Sequence, residues 1–219
     1  MEQPKKLEVK KQLNKYTEFE TKYKMQDGNV QYEFKRVMEQ EHDLSCFFVQ
    51  SDDVYYVKGD EFLRYRFSDD KKIKRSELTY KAKHKEHNNI IRKEVNLRVD
   101  PSDRKTVTEF CETLGFDLSF TIRKACHIYE ASDATLVFYS VWDEDNSLTH
   151  FIEIEVDEEL IPSLTEDEAW DIIKKWEKVL EPFGIKAQNR LRKSLFEMYR
   201  KPEQVKLISV ENGSSNEEN

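Results

Sequence analysis

From Tyr16 to Met25 polar and apolar side chains alternate, with Phe19, Thr21 and Tyr23 in one set and Glu18, Glu20, Lys22 and Lys24 in the other. Successive side chains of a strand point to opposite faces, so this segment predicts a first strand with two carboxylates and ammonium groups on one side. The design returns in Arg64 and Arg66 around Tyr65, Lys81 and Lys83 around Ala82, Arg92 and Glu94 around Lys93, and Glu153 and Glu155 around Ile154. Within 45–67, Lys58-Gly59-Asp60 separates two apolar runs, Val54 to Val57 and Phe62 to Phe67, as in a hairpin. Further strands are expected over 77–83, 90–99, 118–130, 135–142 and 149–156, with a turn at 69–74.

Elsewhere the period becomes helical. Val30, Phe34, Val37 and Met38 follow the turn Asp27-Gly28-Asn29. Val107, Phe110, Cys111 and Leu114 follow a helix start made of Asp100, Pro101 and Asp103, and Gly115 stops them. Thr165 and Glu168 form a capping box ahead of a core-facing stripe of Trp170, Ile173, Trp176 and Leu180, ended by Pro182 and Gly184. The tryptophans read as packing. One last short helix is expected over 188–199. His84 and His87 have no carboxylate or thiolate at suitable spacing and read as a solvated loop.

Composition sharpens this picture. A mean hydropathy of -0.84 with 37% charged residues would suggest disorder, but thirteen Phe, ten Tyr and three Trp argue for a folded, β-rich chain. At 219 residues one domain is expected over 16–200, with an amino-terminal arm at 1–15 and a disordered acidic tail at 201–219. A net charge of -8 argues against broad binding to DNA, RNA or anionic membrane. Met1 to Lys6 has no signal-peptide core and no segment reaches the ~20 apolar residues of a membrane span, so a cytoplasmic protein is expected. Cys46, Cys111 and Cys126 lack the spacing of a disulfide framework or a zinc site and read as reduced and mostly buried.

A wet polar face is ordinary in an antiparallel sheet. Its recurrence with both signs of charge suggests instead that the strands curl into a barrel with the charges inside. Such a lining must be hydrated or neutralised. A triphosphate with bound Mg2+ or Mn2+ meets that need, because Arg and Lys donate to phosphate oxygens while carboxylates hold a hard cation. Glu18 and Glu20 form the first metal half-site.

These residues resemble the CYTH superfamily, the triphosphate tunnel metalloenzymes, over about Tyr16 to Tyr199. Glu18-Phe19-Glu20-Thr21-Lys22 resembles the family's ExExK opening, Leu63-Arg64-Tyr65-Arg66 its L-R-x-R strand, Leu78-Thr79-Tyr80-Lys81 its L-T-x-K strand and Arg92-Lys93-Glu94 its R-x-E strand. Asp143, followed by Leu148-Thr149-His150-Phe151-Ile152-Glu153-Ile154-Glu155, resembles the aspartate and L-G-x-F-[VI]-E-[IV]-E segment, with Thr149 in place of glycine.

The resemblance implies a β-rich α+β fold: an eight-stranded antiparallel closed barrel with a charged interior and helices packed outside. It implies Glu18, Glu20, Asp143, Glu153 and Glu155 as ligands of divalent metal, the four glutamates with Lys22 as the catalytic set, and Lys22, Arg64, Arg66, Lys81 and Arg92 as triphosphate ligands. Where the family commonly has K-x-R, this chain has Arg123-Lys124-Ala125-Cys126, so Arg123 and Lys124 stay an unresolved pair and Cys126 stands at the arginine position. Arg192 or Lys193 would supply a carboxy-terminal base. His150 lies on the face opposite Glu153 and Glu155 and is not expected as a catalytic base.

The implied activity is metal-dependent hydrolysis of a triphosphate compound: inorganic triphosphate, a nucleoside triphosphate, an RNA 5′ end or thiamine triphosphate. The alternatives are a class IV adenylyl cyclase, making cyclic AMP and pyrophosphate from ATP, and a non-catalytic polyphosphate or nucleotide binder. The partner is the triphosphate molecule, and the assembly state is open, a homodimer included.

Overall fold

Eight strands arise from the alternating segments: β1 (Thr17–Met25), β2 (Cys46–Lys58), β3 (Glu61–Phe67), β4 (Ser76–Lys81), β5 (Ile91–Val99), β6 (Asp117–Glu130), β7 (Ala134–Trp142) and β8 (Leu148–Val156). In the computed structural model, which describes residues 13–68, 76–81, 90–100 and 103–201, they close into an antiparallel barrel in the order β1-β5-β4-β3-β2-β6-β7-β8. Closure removes the sheet edges and gives every strand an inside and an outside.

The outside is apolar because helices cover it. On one flank Phe19 and Tyr23 of β1, Leu136 and Phe138 of β7, and Ile152 and Ile154 of β8 form a cluster with two helical elements. One is α1 (Val30–Arg36), continued by a π-helical turn at Val37–Glu41, which contributes Phe34 and Met38. The other is α3 (Glu166–Val179), which contributes Ala169, Ile173 and Trp176. Its amino end carries the expected capping box, Thr165 accepting from the Glu168 amide while the Glu168 carboxylate accepts from Thr165. Trp170 packs edge-on against Phe19 at 5.0 Å. On another flank α2 (Arg104–Thr113) sets Val107 and Cys111 on Tyr56, Leu63, Tyr65 and Leu78.

Several expectations change. β2 begins at Cys46, so the hairpin strand is longer than its apolar run Val54 to Val57. Phe110 and Leu114 are exposed, and only Val107 and Cys111 carry the buried side of α2. Asp103 precedes that helix without a side-chain cap, while Gly115 ends it at a φ of +80°, a conformation that suits glycine. The single helix expected over 188–199 is two pieces, a 3-10 turn at Ala187–Asn189 and α4 (Leu195–Tyr199), because Ser194 starts α4 afresh with its own capping box to Glu197. Lys24 is exposed at the end of β1. Cys111 and Cys126 are buried and Cys46 is half-buried, all as free thiols.

Among the described residues no helix is long and apolar enough to cross a membrane. The turn at 69–74, Lys83, His84, His87, Pro101, most of the amino-terminal arm and the acidic tail lie outside the described residues.

The outer layer makes a stability prediction. Ile173 is fully buried on the inner face of α3, so Ile173→Ala should cost about 2–5 kcal/mol. Phe110→Ala, at a half-exposed site, should stay within about 0.5 kcal/mol of the parent. Urea denaturation midpoints check both.

Candidate active site

The inward faces of the strands bring the charged residues together. Glu18, Glu20 and Lys22 of β1, Arg64 and Arg66 of β3, Lys81 of β4, Arg92 and Glu94 of β5, Lys124 of β6, and Glu153 and Glu155 of β8 all line one cavity of about 200 Å³. Strand register decides who meets whom. Across β1 and β8, Lys22 is opposite Glu153 and Glu20 is opposite Glu155; across β1 and β5, Glu18 is opposite Arg92.

The acids are turned onto the bases. Glu18 meets Lys81 at 2.5 Å and Arg92 at 2.8 Å, Glu20 meets Arg92 at 2.6 Å and Lys22 at 3.2 Å, and Glu94 meets Lys81 at 2.6 Å. Lys22 also pairs with Glu153, which accepts a hydrogen bond from the Tyr139 hydroxyl at 3.0 Å. Arg66 donates two parallel bonds of 2.7 Å to fully buried Asp53. Arg64 donates to Thr79 at 3.0 Å, while its Nε is buried with no hydrogen-bond partner among the described residues. Lys124 sits 4.1 Å over the Tyr139 ring.

Burial alone would raise every carboxyl here, so the neighbouring charges decide the outcome. Against burial, Lys81 and Arg64 hold Glu94 at about 2. Against burial and Glu18, the bases Lys22, Arg92 and Lys81 bring Glu20 below the usual carboxylate range, and against burial Lys22 does the same for Glu153. Glu155 goes the other way. Burial, then Glu18, Glu20 and Glu94, push it well above the ordinary value, and Lys81 offsets only part of the rise. Burial, with Arg66 nearby, holds Lys124 below an ordinary lysine.

One end of the barrel interior is apolar. Tyr55, Phe120, Val141 and Phe151 pack with Leu195 and Phe196 of α4, and Phe196 stacks on Phe62 at 4.3 Å. The Leu191 amide bonds the Lys22 carbonyl at 2.8 Å, and Arg200 donates to the Gly59 carbonyl at 3.4 Å. Those bonds tether the chain on both sides of α4, so the charged cavity has an aromatic floor.

The donor set can be tested for fit to a divalent cation. Its acids supply carboxylate oxygen, which suits Mg2+ or Mn2+. Glu155 beside Glu18, Glu20 and Glu94 is the like-charge neighbourhood that a cation relieves. The residues therefore fit. They are not preassembled, since among the described residues no three His, Cys, Asp or Glu side chains are grouped to hold a metal.

Four residues expected in the site, Asp143, Arg123 and the alternatives Arg192 and Lys193, fall elsewhere. Asp143 lies in the turn between β7 and β8, where its Oδ1 accepts from the Asp145 and Ser147 amides at 3.0 and 2.8 Å, so backbone donors hold the carboxylate away from the cavity lining. Lys193 and Arg192 are exposed on the approach to α4 and do not line the cavity. The pair on β6 separates cleanly. Lys124 is buried in the lining, with Cys126 buried on the same strand face, while Arg123 points outward to Asp52 at 3.3 Å. His150 faces away, bonded to Ser140 and stacked on Phe138.

Other lining residues carried no expected role. Glu94 was visible in the alternation without an assigned task. Tyr55 lines the cavity from an apolar run, while Asp53 and Tyr139 do not line it but bond the lining residues Arg66 and Glu153; strand register reveals that all three point inward.

A closed strand barrel lined by interleaved acids and bases forms a charged tunnel. The chain belongs to the CYTH family, whose domain model matches residues 16–195. The family is generally catalytic, as triphosphatases or cyclases, and its tunnels take triphosphate substrates with divalent metal. No curated protein matches the chain.

Solved structures share the fold. A conserved hypothetical protein from Pyrococcus furiosus has a TM-score of 0.63 at 24% identity, covering 82% of this chain and 98% of its own. A protein from Pyrococcus horikoshii has a TM-score of 0.62 at 25% identity, covering 83% and 97%. A Vibrio parahaemolyticus protein proposed to be an adenylate cyclase has a TM-score of 0.58 at 14% identity, covering 85% and 97%.

The two outlying carboxyls predict opposite stability effects. Glu155 has a raised folded value, so its stabilising effect is complete below the unfolded value of ~4.3 and is lost as pH rises through the folded one. Glu155→Gln should therefore raise the Tm of the metal-free protein at pH 7, each kcal/mol reading as ~2–4 °C, and the gain should shrink toward pH ~4. Glu94 has a lowered folded value, so its contribution is present above the unfolded value and is lost as pH falls toward about 2. Glu94→Gln should lower the Tm at pH 7, and melting curves across pH check both.

Proposed function

We propose that this chain is a divalent-metal-dependent phosphohydrolase acting on a triphosphate compound. The observation that carries the reading is the cavity in which acids and bases from β1, β3, β4, β5, β6 and β8 are interleaved. Neither sign alone would suit a triphosphate with its cation.

Within this reading Lys22, Arg64, Arg66, Lys81, Arg92 and Lys124 bind phosphate oxygens. Guanidinium groups do so through parallel hydrogen bonds, and the Nε of Arg64, without a hydrogen-bond partner among the described residues, is one such donor. Glu18, Glu20, Glu153 and Glu155 hold Mg2+ or Mn2+, with Glu94 beside them. When bound, the cation neutralises phosphate charge and lowers the pKa of the attacking water. Lys22, between Glu20 and Glu153, keeps an acid on each side and orients both. The lining supplies positioning and charge stabilisation out of bulk water, which account for most of the catalysis in phosphoryl transfer. The aromatic floor closes one end and limits how far a phosphate chain can advance.

Cyclisation of ATP is the competing chemistry. It needs, beyond the phosphate site, a slot for adenine and ribose. Hydrolysis needs only the phosphate chain, which is common to inorganic triphosphate, nucleoside triphosphates, RNA 5′ ends and thiamine triphosphate.

Pure protein incubated with each of these compounds should release phosphate with Mg2+ or Mn2+ and not with EDTA. Glu18→Ala and Glu153→Ala should each lower the rate by on the order of 10²-fold or more. Cyclic AMP and pyrophosphate from ATP would replace the hydrolase with a cyclase, and binding without turnover would replace it with a binder.

A further inference from the structure

Glu18 and Glu20 line the cavity beside the base they hold, Arg92. Asp53 does not. It faces inward from β2, opposite Arg66 of β3, but it is fully buried behind the lining, while the Arg66 side chain keeps 31% of its surface accessible. Both Asp53 oxygens accept from Arg66, Oδ1 from Nε and Oδ2 from Nη2, each at 2.7 Å. Against burial, the charge and hydrogen bonds of Arg66, with Arg64 and Lys124 adding to them, bring the Asp53 carboxyl below the ordinary range, so it stays an anion.

A guanidinium group has five N–H donors in a rigid planar fork. Asp53 takes one edge, Nε and one hydrogen of Nη2, and leaves the two hydrogens of Nη1 and the second of Nη2. That second edge suits a phosphate as the first suits a carboxylate, so one arginine can be fixed by one edge and bind by the other. The pairs of Arg92 differ in this respect. Their acids stand in the cavity, where an entering ion can draw the pair apart, whereas Asp53 lies out of reach and would be left buried and unpaired.

We infer that Asp53 is a positioning residue that holds Arg66 by one edge of its guanidinium group and turns the other toward the phosphate chain. The inference rests on the reading that the ligand is a triphosphate compound. It gives the wall of β2 and β3 a phosphate contact that is in place before the ligand arrives. It also fixes a sign. By charge alone, taking a negative group out of the wall favours an anion; by positioning, the same change weakens it.

Titration calorimetry of the full chain with a non-hydrolysable imido-triphosphate in excess Mg2+ decides between the two, with melting curves on every variant. D53N keeps the shape of the side chain but replaces one acceptor oxygen by an amide nitrogen, and should weaken the ligand by about 10-fold. In an R66M background, where nothing remains to be positioned, D53N should weaken it by less than about 2-fold. R66K keeps a charge pair with Asp53 but has no second edge. It should also weaken the ligand by about 10-fold, and it decides the point if D53N fails to fold. Unchanged or tighter binding in D53N, equal weakening by D53N with and without Arg66, or R66K within about 2-fold of the parent would overturn the role of Asp53 while leaving a triphosphate-binding tunnel in place. No binding by the parent would overturn the triphosphate reading itself, and the role of Asp53 with it.

Discussion

Charges taken out of water must find partners, and the interior of this barrel is arranged around that requirement. Alternation along β1 sends Glu18, Glu20 and Lys22 inward while Phe19, Thr21 and Tyr23 go outward, so one strand builds the polar lining and the apolar shell together. Neither could exist without the other. The shell needs α1 and α3 to cover Phe19, Ile152 and Ile154, and the lining needs antiparallel register to set Lys22 opposite Glu153 and Arg92 opposite Glu18. Closure of the sheet puts those pairs where water is scarce and their electrostatics strong.

The same arrangement works against stability at particular places. A hydrophobic filling is the usual solution for the interior of a small barrel, and this chain uses it only at the end closed by α4. The rest is charged, and at Glu155 burial and the neighbouring acids Glu18, Glu20 and Glu94 hold the carboxyl well above its ordinary value. Local conflict of this kind concentrates at functional sites, where stability elsewhere in the fold sustains it. Here the outer clusters sustain it, with fully buried Phe34, Ile173 and Leu180 on one flank and Cys111 with Tyr65 on another.

Much of the lining was legible because charge on every second residue is a strong period-2 signal, as in Glu18 and Glu20, Arg64 and Arg66, or Glu153 and Glu155. Where charge is sparse, the signal fails. Tyr139 sits in the mainly apolar run of β7, and its inward aim follows only from pairing with β8. Asp53 follows another aspartate, so its face depends on register with Arg66 and not on its own neighbours. On β6 the adjacent bases Arg123 and Lys124 belong to opposite faces, which pairing with β2 separates. Asp143 shows the reverse problem: a carboxylate in a plausible place is claimed by its own turn, a local competition that spacing does not reveal. The split between the 3-10 turn and α4 was hidden because 188–199 has helical composition throughout, while Ser194 and Glu197 set a new start inside it.

The most direct test of the central claim is a crystal structure of the chain with Mn2+ and imido-triphosphate. The account predicts anomalous density for the cation against the inward carboxylates of β1 and β8, with phosphate density against Lys22, Arg64, Arg92 and Lys124 and the internal ion pairs opened. Ligand density on the outer surface, with the pairs Lys22 to Glu153 and Arg92 to Glu18 still intact, would contradict it.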